Sequence, residues 1–318
     1  MKASVVVVNW NGKHLLTECL DSLFAQSMKD FEVILVDNAS TDGSVEFARK
    51  NYPKARIIQN KSDVGYAIAC NVGAKAAKAG IVVLLNNDTQ LERDWLVNLL
   101  APLERDKSIG AVGSKLIFYD NRNFINSIGT FVSVLGFSGS LGDWKPRGDY
   151  SEEAELFAPC GGAVAIRKRL YEKIGGLYEP YFLYEDDVDL GWKVWNAGSR
   201  VVLAPDAILY HKYSHLQRPY KYYYMTRNKQ WSFWKNACTG DLVWLFPMGL
   251  IFSAALALAF VITLRFGKAW SVMRGMVDGV IHLPERKPAR NGLAARHYTG
   301  IGESISIVLQ KFSKHLMR

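Results

Sequence analysis

The chain has 318 residues, 49% of them hydrophobic and 22% charged, with a net charge of +9. That length suits one large domain or a domain with an appendage, and the balance of residue types excludes a disordered or low-complexity chain. Most of the positive excess lies after Arg265, so a basic C-terminal tail is expected, suited to an anionic surface. Cys19, Cys70, Cys160 and Cys238 are widely scattered without metal-type spacing, and read as reduced buried thiols. Met1-Lys2 passes straight into "ASVVVVN", too short and too branched for a signal peptide, so the catalytic part is expected in the cytosol.

In chain order, "SVVVV" (4–8) is a continuous branched run, as in a strand buried on both faces. "KHLLTECLDSLFAQS" sets Leu15, Leu16, Cys19, Leu20, Leu23 and Phe24 on one helical stripe. "EVILV" (32–36) is a second strand, and the helix after it has Ser40 or Thr41 as candidate N-cap. "ARIIQ", the Ala-rich "YAIACNVGAKAAKAG" and "IVVLL" supply a third strand, a helix stopped at Gly80 and a fourth strand. This alternation predicts an α/β fold with a mostly parallel sheet and helices on both faces. Ligands in such sheets bind beyond the carboxyl ends of the strands. Here those ends read Asn9, Asp37-Asn38, Asn60 and Asn86-Asn87-Asp88, a polar rim.

Further on, "SIGTFVSVLGFSGSLGDWKPRGDY" is rich in Gly and Ser and reads as a mobile loop. "PCGGAVAIRKRLYEKIGGL" reads as a strand then a helix, "DDVDLGWKVWNAG" as a helix ended by Gly198, and "SRVVLAP" as a strand. Residues 242–264 carry no charge over 23 positions, enough to cross a bilayer or, with Pro247 and Gly249 near the start, to form a broken helix. Basic residues flank both ends, so charge does not set a topology. Membrane association is expected here. The aromatic, basic "RPYKYYYMTRNKQWSFWKN" leads directly into this stretch, as interfacial Trp, Tyr and Lys do, so no nucleic-acid partner is expected.

The site chemistry begins with an absence. "NWNGKH" after the first strand has one glycine, not the Gly-x-Gly-x-x-Gly that brings backbone amides to a pyrophosphate. A nucleotide diphosphate bound here needs a cation, and Asp88 at a strand end offers a hard oxygen to Mg²⁺ or Mn²⁺. The second cluster, "YEDDVDLGW", packs four acids into five residues. A helix dipole favours one or two of them, but like charges packed between Tyr184 and Trp192 raise at least one pKa, which suits a general base.

"SVVVVNWNG", "ILVDNASTDGS", "NKSDVGYAIACNVG" and "LLNNDT" together resemble the nucleotide-binding half of the inverting family 2 glycosyltransferases, whose fold is called GT-A. "GGAVAIRKR", "YFLYEDDVDLGWKVWNAG", "APDAILYHKYS" and "YYYMTRNK" resemble the acceptor half of the rhamnosyltransferase-like branch. The resemblance implies a Rossmann-like GT-A domain over 1–235, with a nucleotide half (1–100) and an acceptor half (101–235). A membrane-associated helical region over 236–318 follows.

By the resemblance, Asp37 contacts the nucleobase with Asn9 nearby, although an Asp that starts a turn or caps a helix fits the same position. Asp63 and Gly65 belong to the loop closing over base and ribose, and Asn71 on the next helix is either a ligand or a packed polar residue. Asp88 matches the last Asp of the family's Asp-x-Asp metal motif. Asn86 stands where the first Asp would be, which predicts a weaker metal site, and Asn87 lies between. Holding "DVDLGW" fixed aligns the family's Glu-Asp pair with Asp186-Asp187 and makes Asp187 the base, with Glu185 one register away. His211 resembles the family's late His near diphosphate or metal; Arg227 suits a diphosphate contact and Trp192 a ring for stacking on the acceptor sugar, and a structural role fits both equally.

The implied activity is inverting transfer from a UDP- or dTDP-sugar to a hydroxyl of a glycan or lipid-linked glycan at the cytoplasmic face of a membrane. A sugar-phosphate nucleotidyltransferase and an inactive GT-A scaffold are the alternatives. The first calls for a glycine-rich basic loop that "NWNGKHLL" lacks.

Overall fold

The computed structural model of the chain describes residues 1–212, 219–286 and 293–307, so the basic tail expected after Arg265 lies partly outside the described residues. The chain divides into two compact units, Met1–Thr130 with Ser140–His215, and Phe131–Gly139 with Leu216–Arg318.

The first unit is built on a sheet of order β3-β2-β1-β4-β10-β6-β11-β5, with β7 paired to β6. Its first half is the alternation read from sequence: β1 (Ala3–Asn9), α1 (Lys13–Phe24), β2 (Phe31–Asp37), α2 (Ser44–Asn51), β3 (Arg56–Gln59), α3 (Gly65–Ala76) and β4 (Ile81–Asn86). The four strands run parallel, and the branched side chains of β1, β2 and β4 are almost all buried because helices cover the sheet, while those of the edge strand β3 are half-buried. α1 buries Leu16, Cys19, Leu20 and Leu23 at helical spacing, part of the stripe read from sequence.

Beyond β4 the sheet is mixed, where a mostly parallel one was expected. β5 (Thr89–Leu91), α4 (Trp95–Arg105), β6 (Ile109–Phe118), β7 (Ile125–Ser127), β10 (Ala163–Arg167), α5 (Lys168–Lys173), α6 (Asp186–Asn196) and β11 (Arg200–His211) complete this half. β10 lies antiparallel between β4 and β6, β11 runs parallel to β6, and β5 returns antiparallel along β11. Local alternation does not reveal these long-range pairings.

Two local expectations are corrected. The Gly/Ser-rich stretch after Ser127 is not a loop: β8 (Gly129–Val132) and β9 (Ser138–Leu141) pair as a ribbon, turned with the help of Gly136 at φ +76°. Neither Ser40 nor Thr41 caps α2. Gly43 is its N-cap residue, the Asp42 carboxylate accepts from Ser44 N, and the Ser40 hydroxyl donates to Asp37 instead.

The second unit contains α7 (Pro219–Asn236), α8 (Thr239–Ile262) and α9 (Phe266–Ile281). Within it α7 packs against α8 and α9. Gly275 and Gly279 let α9 close on α7: a Cβ at Gly275 would stand 2.6 Å from Tyr223 O. On α8 the buried residues are Leu245, Gly249, Ser253, Ala257 and Phe260, one stripe down the helix. The ribbon tip rests on it: Trp244 Nε1 donates to Val134 O at 2.7 Å and Phe137 stacks on Phe252. α8 is long and apolar enough to cross a membrane, with a mean hydropathy of 2.4 over its most apolar window.

The close seat of α3 on β1 gives a direct test of core packing. A Cβ at Gly73 would overlap the Val6 methyls. Gly73→Ala is expected to destabilise the fold by about 1–3 kcal/mol in urea unfolding, and a second change, Val6→Ala, to restore part of the loss.

Candidate active site

The rim of the first unit is assembled by side chains that bind one another. Asn9 Nδ2 donates to Asp37 Oδ2 at 2.8 Å, and Asn9 Oδ1 accepts from Asn87 Nδ2 at 2.7 Å, tying the ends of β1, β2 and β4. A Cβ at Gly12 would collide with this Asn9–Asn87 pair, so "NWNG" needs its glycine for approach. The turn is also laced to the next one: Asn11 N donates to Ser40 Oγ and Lys13 N to Asp42 Oδ2, both at 2.8 Å. The first amide of α1 is thereby taken by a carboxylate.

Asp37 is buried, and its oxygens accept from Ser40 N, Ser40 Oγ and Asn9 Nδ2. This is the turn-forming geometry that the sequence left as an alternative; a carboxylate has room for one further donor. Asp63 Oδ1 accepts from Gly65 N and Asn38 Nδ2, which shapes the loop into α3. Gly65 has φ +79°, and a Cβ there would stand 2.9 Å from Phe182 O, so its freedom serves a close approach to the 182–185 segment. Asn71 is a packed polar residue: its amide holds Leu177 N and O and the Tyr171 hydroxyl.

The 182–185 segment is strained. Phe182, Tyr184 and Glu185 all have φ +65°, a conformation that costs of order 1–3 kcal/mol per non-glycine residue and clusters at functional sites. It delivers Asp186 and Asp187 to the first turn of α6. Asp187 Oδ1 accepts from Val188 N and Oδ2 from Gly161 N at 3.3 Å, while Gly162 O accepts from Asn86 N at 3.0 Å. The Gly161-Gly162 dipeptide therefore joins the acidic helix to the Asn86-Asn87-Asp88 turn. Tyr66, Leu84, Pro159, Val164, Leu177 and Leu190 line the space around the two acids, and Tyr66 OH donates to Gly161 O.

These surroundings desolvate both carboxyls and push both pKa values up. Asp187 rises to about 6, with backbone N–H bonds resisting, and Asp186 rises to about 8 because the Asp187 charge adds to burial. Of the two, Asp187 is held lower, by the N–H groups of Val188 and Gly161. Asp189 does other work: it is fully buried with Lys193 Nζ at 2.6 Å. Trp192 does not offer its ring to a sugar. It is 1% exposed and packed edge-on against Phe157.

At the other end, pairing of β11 with β5 sets His211 opposite Thr89, and Lys212 N donates to Asp88 O. His211 Nε2 comes within 3.3 Å of Asp88 Oδ1. Yet this buried oxygen accepts no hydrogen bond among the described residues. Two such donors fit a hard divalent cation, whose neighbouring ligands stand about 3 Å apart when bonds are about 2.1 Å. No cluster of three or more protein ligands occurs among the described residues, so a cation held here would need further ligands from outside the protein. Arg227 lies in the second unit, its guanidinium over the rings of Tyr223, Tyr224 and Trp231 and its Nε donating to Asn228 Oδ1.

Sequence reasoning missed Asn126, whose Oδ1 lies 2.7 Å from His211 Nδ1, and the bridging role of Gly161-Gly162. The double glycine was a readable signal; an isolated Asn in a Gly/Ser-rich region was not.

The profile of "Glycosyl transferase family 2" matches residues 4–175. The N-acetylglucosaminyl-diphospho-decaprenol L-rhamnosyltransferase of Mycobacterium tuberculosis is 30% identical over 232 residues, 65% of this chain and 75% of the relative. The O-antigen biosynthesis protein RfbC of Myxococcus xanthus is 29% identical over 68% of this chain but only 18% of its own length. Among solved structures, residues 1–349 of S. aureus TarS superpose with a TM-score of 0.60 at 18% identity, covering 88% of this chain and 81% of that one. GalNAc-T7 with UDP, GalNAc and Mn²⁺ superposes with 0.59 at 16% identity, covering 73% and 47%. The sheet with its flanking helices is thus the GT-A fold, and the chain belongs to glycosyltransferase family 2.

Proposed function

We propose that this glycosyltransferase moves a sugar, rhamnose by kinship, from a UDP- or dTDP-sugar to a hydroxyl of a lipid-linked glycan with inversion. The observation that carries the reading is the Gly161-Gly162 bridge, which sets a carboxylate ionised at neutral pH beside the turn that bears Asp88. Asp187 takes the acceptor hydroxyl proton as that oxygen bonds to the anomeric carbon. The bond from that carbon to the diphosphate breaks, and the nucleoside diphosphate leaves with the electron pair. Asp186, still protonated, lends no second negative charge. A divalent cation, Mg²⁺ or Mn²⁺, held by Asp88 and His211 would neutralise the departing diphosphate. Asn9, Asp37, Asp63, Asn86 and Asn87 bound the donor side, with Gly65 allowing the loop its course.

Support for a lipid-linked acceptor comes from the decaprenol named for the mycobacterial relative and from the second unit. α8 turns at Leu264 into α9, and the two expose Ile262, Leu264, Trp270 and Ile281 at 72%, 76%, 66% and 68%, beside Arg265, Lys268 and Arg274. An apolar helical face edged by cations suits insertion into the cytoplasmic leaflet from one side. α8 packs along α9 and α7, which favours lying in the interface over a solitary span.

Asp187→Asn is expected to lower kcat by 10²- to 10⁴-fold with the circular dichroism spectrum unchanged; full activity would remove Asp187 as base. The acidic limb of kcat/KM is expected near pH 6, since transfer needs ionised Asp187, and to stay there in Asp186→Asn. Because the raised pKa of folded Asp186 favours its protonated form, its contribution to stability is present at low pH and lost as pH rises towards 8. Asp186→Asn should therefore unfold at a higher temperature than the parent at pH 8, with the gap closing below pH 5. Thermal shift with a panel of nucleoside diphosphates, with and without Mn²⁺, tests donor and metal together. Co-flotation with anionic vesicles, lost in a Leu264→Asp, Trp270→Asp variant, tests the docking face.

A further inference from the structure

We propose that Asn126 is a positioning residue for the cation site: it fixes the tautomer of His211 so that Nε2 is left as a ligand beside Asp88 Oδ1. This rests on the reading that Asp88 and His211 hold the divalent cation. Asn126 Oδ1 lies 2.7 Å from His211 Nδ1. A carbonyl oxygen can only accept, so Nδ1 carries the proton, and in the neutral ring Nε2 then presents a lone pair. That lone pair and Asp88 Oδ1 come within 3.3 Å of each other, two acceptors that repel unless they share a cation.

The reverse arrangement, with the amide turned and Nε2–H donating to Asp88, would give Oδ1 a hydrogen bond, and Oδ1 accepts none among the described residues. The contact has the distance of two neighbouring ligands and lacks the alignment of a donor and an acceptor.

Asn126 is built to hold this position. It is buried, on β7 between Ile125 and Ser127, and β7 is clamped on both sides. It pairs with β6, itself the neighbour of β11, while Ile125 N and O bond to Lys145 O and Trp144 N at 2.8 and 2.9 Å. Outer partners that orient a ligating His typically change metal affinity by 10- to 100-fold when removed.

The test uses the full chain and Mn²⁺ titrated by electron paramagnetic resonance in the presence of UDP. Asn126→Leu, which keeps the volume and loses the acceptor, is expected to raise the Mn²⁺ Kd by about 10- to 100-fold. Asn126→Asp, which keeps an acceptor at the same place, is expected to stay within about threefold of the parent or to bind more tightly. In the metal-free parent, long-range proton–nitrogen correlation spectra should show His211 protonated at Nδ1, a readout that needs no variant at Asn126. His211→Gln assigns the signal. An unchanged Kd in Asn126→Leu, or a parent His211 protonated at Nε2, overturns the proposal. Asp88→Ala and His211→Ala separate the two readings. If they lose Mn²⁺ while Asn126→Leu keeps it, only the positioning role fails; if all three keep it, the metal assignment fails and the proposal with it.

Discussion

The functional half of the molecule depends on one short contact, the pair of backbone hydrogen bonds through Gly161-Gly162. Gly162 O fixes Asn86 N at the end of β4, and Gly161 N fixes the Asp187 carboxylate at the start of α6. The dipeptide enters β10, which the sheet places between β4 and β6, so the connection is as rigid as the sheet itself. A side chain at 161 would stand 3.5 Å from Asp187 Cβ and 3.6 Å from Asp186 Oδ2, and one at 162 would press on Leu116. The Gly161 amide and, at 2.8 Å, the Val188 amide are the groups that solvate the Asp187 carboxylate.

Burial around this contact couples the protonation of two neighbouring aspartates of one side-chain chemistry. Apolar walls raise both, and whichever ionises first raises the other. The strained backbone at Phe182, Tyr184 and Glu185 is the conformational counterpart of that electrostatic cost: the chain takes an unfavourable path to bring acids where water is scarce. Gly65 lets the loop into α3 lie directly against this path.

The parallel half of the fold was legible because each of its strands adjoins a helix in sequence and its branched runs are continuous. What followed was not, since the positions of β10, β11 and β5 are set by partners far along the chain, and the β8–β9 ribbon draws on residues whose composition reads as loop. The two clusters at Asp88 and Asp187 stood out by charge, but His211 entered only through kinship, its closeness to Asp88 being a product of β5–β11 pairing. Asn126 carries no local signal at all. Trp192 was misjudged for want of periodicity: it sits four residues after Val188 and three before Trp195, both buried, and so on the packed face of α6.

α8 shows how a helix apolar on every side still chooses an inside. Its interior stripe holds Gly249, Ser253 and Ala257, while Val243, Ile251, Leu258 and Ile262 face outward. Hydropathy barely separates the two faces, and in the middle of the inner one the residues are small. Small residues let the neighbouring backbone approach, as the Gly136 turn does at Gly249, and bulky ones are left to meet a solvent that welcomes them. The inside of this helix is therefore chosen by where a neighbouring backbone can come close, at Gly249, Ser253 and Ala257, and not by where polarity falls.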